Sequence, residues 1–101
     1  MNMPPAHQRI EMEDTVAWSG KPLASEIGGE VVLMNIELGH YYNMDDIGSE
    51  IWRSLEQPVS VASLCDFFAA KYHADLATVS VDVLAFLNKL LEQELIAVVG
   101  G

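Results

Sequence analysis

The spacing of apolar residues changes at Asp45, and that change limits what this chain can fold into. Before it, Thr15 to Trp18, Leu23 to Ile27, Glu30 to Ile36 and His40 to Met44 are short runs of the kind that form strands. After it, Ile47, Ile51, Trp52 and Leu55 recur at helical spacing and fall on one face. Strand runs followed by helical runs, without alternation, do not build parallel sheets. They predict an α+β domain, a small antiparallel sheet of three to four strands followed by three helices.

Punctuation between the runs agrees with this. Ser19, Gly20, Lys21 and Pro22 break the first two, Gly28 and Gly29 form a tight second turn, and Glu37, Leu38 and Gly39 form a third. The two later turns predict antiparallel hairpins. Asp45 is placed to cap the first helix, and Pro58 closes it. Ser60 caps a second helix with the stripe Val61, Leu64, Cys65, Phe68 and Tyr72, ending near His73. Asp75 caps the third and longest, from about Leu76 to Gln93, with Val79, Val83, Phe86, Leu87 and Leu90 on one face and Leu84 and Leu91 widening it. So broad an apolar surface covers more than one neighbour, or covers one and leaves a groove. Ile96 to Val99 is read as a short terminal strand or a frayed end, and Gly100 and Gly101 as a loose tail.

With 101 residues, half of them apolar, the chain has material for one core and one domain. Residues 1–12, with Pro4 and Pro5 and no periodicity, are expected to be a mobile arm, and residues 13–99 the folded domain. The formal net charge is −10, and Arg9, Lys21, Arg53, Lys71 and Lys89 are scattered along the chain. That balance repels phosphate backbones, and neither the second nor the third helix is basic enough to read DNA, so nucleic acid is not an expected partner. The start of the chain lacks a basic stretch followed by an apolar one, and no apolar run approaches the length of a membrane span. The expected location is the cytoplasm, which suits the single, unpaired Cys65.

No catalytic constellation is legible. His7, His40 and His73 fall on different elements, none beside a Cys or carboxylate at a metal-ligand interval. There is no nucleophile elbow and no glycine-rich phosphate loop. Cys65 lies on the apolar stripe of the second helix, where a small buried hydrophobe is ordinary. Asp45, Asp46 and Glu50 complement a helix N-terminus and lack the spacing of a calcium loop. No enzyme activity, metal or cofactor is expected.

Three stretches together carry a family likeness: GEVVLMNIELGHYYNMDDIGSEIW from Gly29, then PVSVASLCDFFAAKY, then VDVLAFLNKLLEQELI ending at Ile96. The matching pattern is Val31, Val32, Leu33 and Gly39 in a hairpin, Tyr42 to Met44, then Gly48, Ile51 and Trp52, and finally Val83, Phe86, Leu87 and Leu90. In this order and spacing the chain resembles the PqqD family, the small recognition elements that hold leader peptides for ribosomal-peptide maturation enzymes. It departs from the family pattern twice. Asp45 stands where Asn is usual, and either residue caps. Glu94 stands where Gly is usual, and a left-handed non-Gly residue costs on the order of 1 kcal/mol, which puts the final turn and the Ile96 strand in question.

The resemblance implies a winged-helix-like fold, binding of a precursor's leader segment as an added strand, and delivery to a leader peptidase and cyclase pair of the lasso-peptide type or to a radical SAM enzyme as in pyrroloquinoline quinone synthesis. If His40, Tyr41, Tyr42, Asn43 and Met44 form a sheet edge, their outward backbone groups can pair with an extended peptide. Val79, Asp82, Val83, Phe86 and Leu90 on the last helix would form the other wall. Tyr42 and Met44 should point inward and Tyr41 and Asn43 outward, so main-chain contact is the firmer expectation. Proline at Tyr42 is expected to abolish binding by removing a strand donor. Two alternatives stay open: the same edge can accept a second copy, giving a homodimer, or the module can serve as an adaptor or regulator with another partner.

Overall fold

The computed structural model describes residues 9–99. Asp45, Ser60 and Asp75 sit in extended backbone, and their side chains accept hydrogen bonds from the N–H groups of Gly48, Ser63 and Thr78. These caps start the three helices where the sequence places them: α1 (Asp46–Ser54), α2 (Val61–Lys71) and α3 (Leu76–Glu92). Four strands precede them, β1 (Thr15–Trp18), β2 (Leu23–Ile27), β3 (Glu30–Asn35) and β4 (His40–Asn43). Two short strands follow in order, β5 (Val59–Ser60) between α1 and α2 and β6 (Ile96–Val98) after α3.

The α+β class stands, but the expected single sheet is two, each of three antiparallel strands. One has the order β2-β3-β4. Its hairpins turn at Gly28 and Gly29, both at positive φ, and at Gly39, with φ +70°. Positive φ at both central residues is what a two-residue hairpin loop of type I′ requires. The other sheet has the order β5-β1-β6, with Val16 opposite both Val59 and Val98. β1 therefore leaves its sequence neighbours, because Gly20 at φ +84° and Pro22 turn the chain away. Segments of two and three residues complete its ladder.

Trp18 joins the second sheet to α1. Its ring stacks on Trp52 at 5.0 Å, and its Nε1–H donates to the Trp52 carbonyl at 2.7 Å. Leu33, Leu55, Leu87, Leu95, Val16 and Val61 are fully buried between sheets and helices. Cys65 is buried among them, and burial is the main cause raising its thiol pKa.

Residues 1–8 of the expected arm, with His7, and the Gly100–Gly101 tail lie outside the described residues. Residues 9–12 differ from that expectation. Ile10 is buried in the core, its N–H donates to Asn88 Oδ1 at 2.7 Å, and its carbonyl accepts from Asn88 Nδ2. The Met12 carbonyl accepts from Ala62 N–H. One isoleucine facing the α3 asparagine is too little periodicity to read from sequence.

Glu94 takes the left-handed conformation, with φ +61°. Leu95 N–H bonds the Leu90 carbonyl and Glu94 N–H the Leu91 carbonyl, the paired bonds of a Schellman ending. Ser19 Oγ donates to the Glu94 carbonyl, and Lys21 pairs with its carboxylate at 2.6 Å. Leu95 and Leu90, both buried, complete the motif. These contacts offset the strain, and β6 forms. Among the described residues, no helix is long and apolar enough to cross a membrane.

The chain passes from sheet to helix through Ser49, which is fully buried. Its hydroxyl accepts from Val31 N–H at 2.9 Å and donates to the Met44 carbonyl at 3.2 Å. Ser49→Ala removes both bonds and leaves a buried N–H unpaired, so urea unfolding should show a loss of about 1–3 kcal/mol.

A second clasp fastens α2 to α1. The Lys71 ammonium and the Tyr72 hydroxyl both donate to the Glu50 carboxylate. Those bonds, Lys71 first, hold the Glu50 carboxyl below its ordinary 4.5 and raise Lys71 above its ordinary 10.5. A depressed carboxyl stabilises the fold above its unfolded value, and that stability is lost as pH falls through the lower folded value; for Lys71 the loss comes as pH rises through its raised value. The stability gap between wild type and Glu50→Gln should therefore be constant near neutrality and close in acid. Urea melts across pH check this, and a gap independent of pH would contradict it.

Candidate functional site

Among the described residues β4 pairs only with β3 and forms one edge of its sheet. Which of its groups face outward follows from register. Met44 N–H bonds the Val31 carbonyl at 3.0 Å, and β4 continues that register through Asn43 opposite Val32, Tyr42 opposite Leu33 and His40 opposite Asn35. Antiparallel pairs alternate between hydrogen-bonded and non-hydrogen-bonded. Tyr42 and His40 therefore spend their backbone groups on β3, whereas Tyr41 and Asn43 turn N–H and C=O to the open side. The donor at Tyr42 is an internal one, which corrects the expectation that proline there would test the edge. Tyr41 is the position to change.

Side chains alternate the other way. Tyr42 points toward the helices, its hydroxyl donating to Gln93 Oε1 at 2.5 Å and lying 2.9 Å from His40 Nδ1. Buried Asn35 donates from Nδ2 to the Gln93 carbonyl at 3.1 Å. The strand is thus tied to the end of α3. Tyr41 and Asn43 face away and are exposed, Tyr41 by 67%. Met44 is buried in the core and its N–H is already paired, so it has no free donor to offer.

The α3 residues separate by depth. Val83 and Leu90 are core, Val79 and Phe86 are half-buried, and Asp82 is exposed. A cavity of about 360 Å³ opens beside Val79, Asp82, Val83 and Phe86, but Leu90 and β4 do not line it. Its opposite wall is Ile47, Gly48 and Ile51 of α1, and its end is Phe68 and Tyr72. A Cβ on Gly48 would come within 3.2 Å of the Phe86 ring and 3.5 Å of Met44 Cβ, so glycine is what lets α1 approach α3 here. The Glu50 clasp holds Tyr72 in place as the end wall.

The cavity mouth includes Asp45, which follows Asn43 by two residues, a reach of at most ~7 Å. Strand edge and cavity are thus consecutive along the chain, and the site is an edge running into a pocket between α1 and α3. The α1 wall and Tyr72 were absent from the sequence-derived site. The available signal was Gly48 directly after Ile47 in the first turn of a helix, where a residue without Cβ marks a close approach. Ile47 and Tyr72, placed on the apolar stripes, are in fact 50% and 43% exposed, which is how a pocket wall differs from core.

Among the described residues, no group of three or more His, Cys, Asp or Glu is arranged to hold a metal. His40 bonds Tyr42, and His73 takes the left-handed position ending α2.

No curated protein matches the chain. A solved structure described as "TbiB1 in Complex with the TbiA(beta) Leader Peptide" is similar to it, at 34% identity and a TM-score of 0.73, over 79% of this chain and 93% of that one. Residues 30–96 match the family model described as Coenzyme PQQ synthesis protein D (PqqD), a span that begins with β3, takes in β4 and all three helices, and closes at the start of β6. The chain, edge and pocket included, belongs to the PqqD family.

Proposed function

We propose that this protein binds the leader segment of a ribosomally made precursor peptide as an added strand on β4 and presents it to a modifying enzyme. The observation that carries the reading is the open backbone at Tyr41 and Asn43, beside an apolar pocket. The similar TbiB1 structure, which by its description holds a leader peptide, supports it.

The division of labour is physical. Backbone pairing along Tyr41 to Asn43 supplies affinity with little regard for sequence, and side-chain pockets choose among leaders. Val79 and Phe86 act through the pocket surface. Val83 and Leu90 act by holding α3 against the core, and Asp82 acts at the rim. His40 and Tyr42 keep the edge in place through Gln93. The chain contributes binding and not a chemical step. The enzyme it serves is a leader peptidase and cyclase pair of the lasso-peptide type, or a radical SAM enzyme. A short precursor reading frame beside genes of either kind distinguishes the two. A second copy on the same edge would give a homodimer that leader peptide dissociates.

Tyr41→Pro tests the mechanism. It removes an outward donor without touching a β3–β4 bond, and proline is tolerated on an edge strand. Titrated with the leader of the precursor encoded in its own gene neighbourhood, wild type should bind at about micromolar Kd or tighter. Tyr41→Pro should lose about tenfold with its circular dichroism unchanged, since one backbone bond is removed and its acceptor on the peptide is left unpaired. A folded variant with undiminished affinity would refute strand addition.

A further inference from the structure

The pocket's chemistry narrows the kind of leader it accepts, an inference that rests on the strand-addition reading above. Its interior is apolar: Ile47, Ile51, Phe68, Val83 and Phe86, with the Tyr72 ring at the end. Its volume of about 360 Å³ has room for at least one leucine- or phenylalanine-sized side chain. The polar groups at its mouth are carboxylates. Asp45 and Asp82 line it, and Asp45 also borders an adjoining depression together with Asp46 and Glu30.

Among the described residues, these carboxylates lack cationic partners. The ion pairs among the described residues are Lys21–Glu94, Arg53–Glu26 and Lys71–Glu50. Lys71, on the Tyr72 side of the pocket, is thus engaged with Glu50. Lys89 is seven positions beyond Asp82 on α3, about 10 Å along the axis. Asp45 uses one oxygen to cap α1 through Gly48 N–H, which leaves the other available. An acidic rim alone would be a solvated surface. Here it surrounds an apolar cavity that continues an open strand edge, so a bound strand that fills the cavity must carry its neighbouring side chains past the carboxylates.

We propose that the site selects a leader segment in which a large apolar residue has Lys or Arg within two positions. The apolar side chain fills the pocket, and the cation meets Asp45 and Asp82. In an extended strand the neighbour two positions away shares the face of the apolar residue, and one position away the long stem of Lys or Arg can fold back to the rim. The apolar group supplies contact area, and the carboxylates discriminate by charge complementarity.

The test is selection of random linear peptides displayed against the full chain, followed by affinity measurement on one enriched peptide. Enriched sequences should place Lys or Arg within two positions of Leu, Ile, Met or Phe. Asp45→Asn with Asp82→Asn keeps the cap, since Asn caps as well as Asp. It should weaken the chosen peptide about three- to tenfold, the scale of exposed ion pairs, and leave unchanged a version with Gln in place of the cation. The control is Glu56→Gln with Glu92→Gln, which removes equal charge just beyond the end of α1 and at the last residue of α3 and should have no such effect. Enrichment of apolar anchors without cations, or equal weakening by both double variants, overturns the charge selection. If Tyr41→Pro still weakens binding about tenfold in that case, strand addition stands. No enrichment, or enriched peptides indifferent to Tyr41→Pro, overturns the underlying reading itself.

Discussion

The Ser49 hydroxyl occupies the corner on which the site depends. β3 and β4 should exchange two backbone bonds at Val31 and Met44, yet only Met44 N–H to the Val31 carbonyl is direct. The other is carried through Ser49, which takes the Val31 N–H and gives its own proton to the Met44 carbonyl. A helix residue is thereby built into the ladder of the sheet. One turn before it Asp45 caps the same helix, and the adjacent Gly48 lets α3 approach. The direction of β4, the start of α1 and the mouth of the pocket are set within six residues.

That arrangement explains how a small domain can expose an edge and keep it ordered. An unpaired strand is a hazard because any extended chain can join it. Here β4 is only four residues long and is anchored at both ends: at one by the Ser49 corner, at the other by Asn35, Tyr42 and Gln93, which tie the hairpin to the end of α3. Short length limits indiscriminate pairing, and anchoring lowers the ordering cost for a peptide that pairs correctly.

Much of the fold is local and was legible for that reason. Asp45, Ser60 and Asp75 announce helix starts through chemistry within four residues, and Gly28–Gly29 announces a hairpin in the same way. What was hidden depends on distant partners. β1 looks like a member of the hairpin sheet until Val59 and Val98 take its two sides. Ile10 looks like arm until Asn88 holds its backbone. Glu94 looks incompatible with a left-handed ending until Ser19 and Lys21 are found on it. At the site, strand and α3 were readable from pattern and family likeness. The α1 wall was not, because Ile47 reads as core by periodicity and only the fold leaves it half open.

The central claim is that a peptide pairs with the outward groups of Tyr41 and Asn43. Amide hydrogen exchange read residue by residue in the β2-β3-β4 sheet, with and without leader peptide, tests it most directly. The account predicts new protection at Tyr41 and Asn43, with His40 and Tyr42 little changed because β3 already holds them. Unchanged exchange at Tyr41 and Asn43 in the saturated complex, or protection appearing instead along Leu23 to Ile27 on the opposite edge, would contradict it.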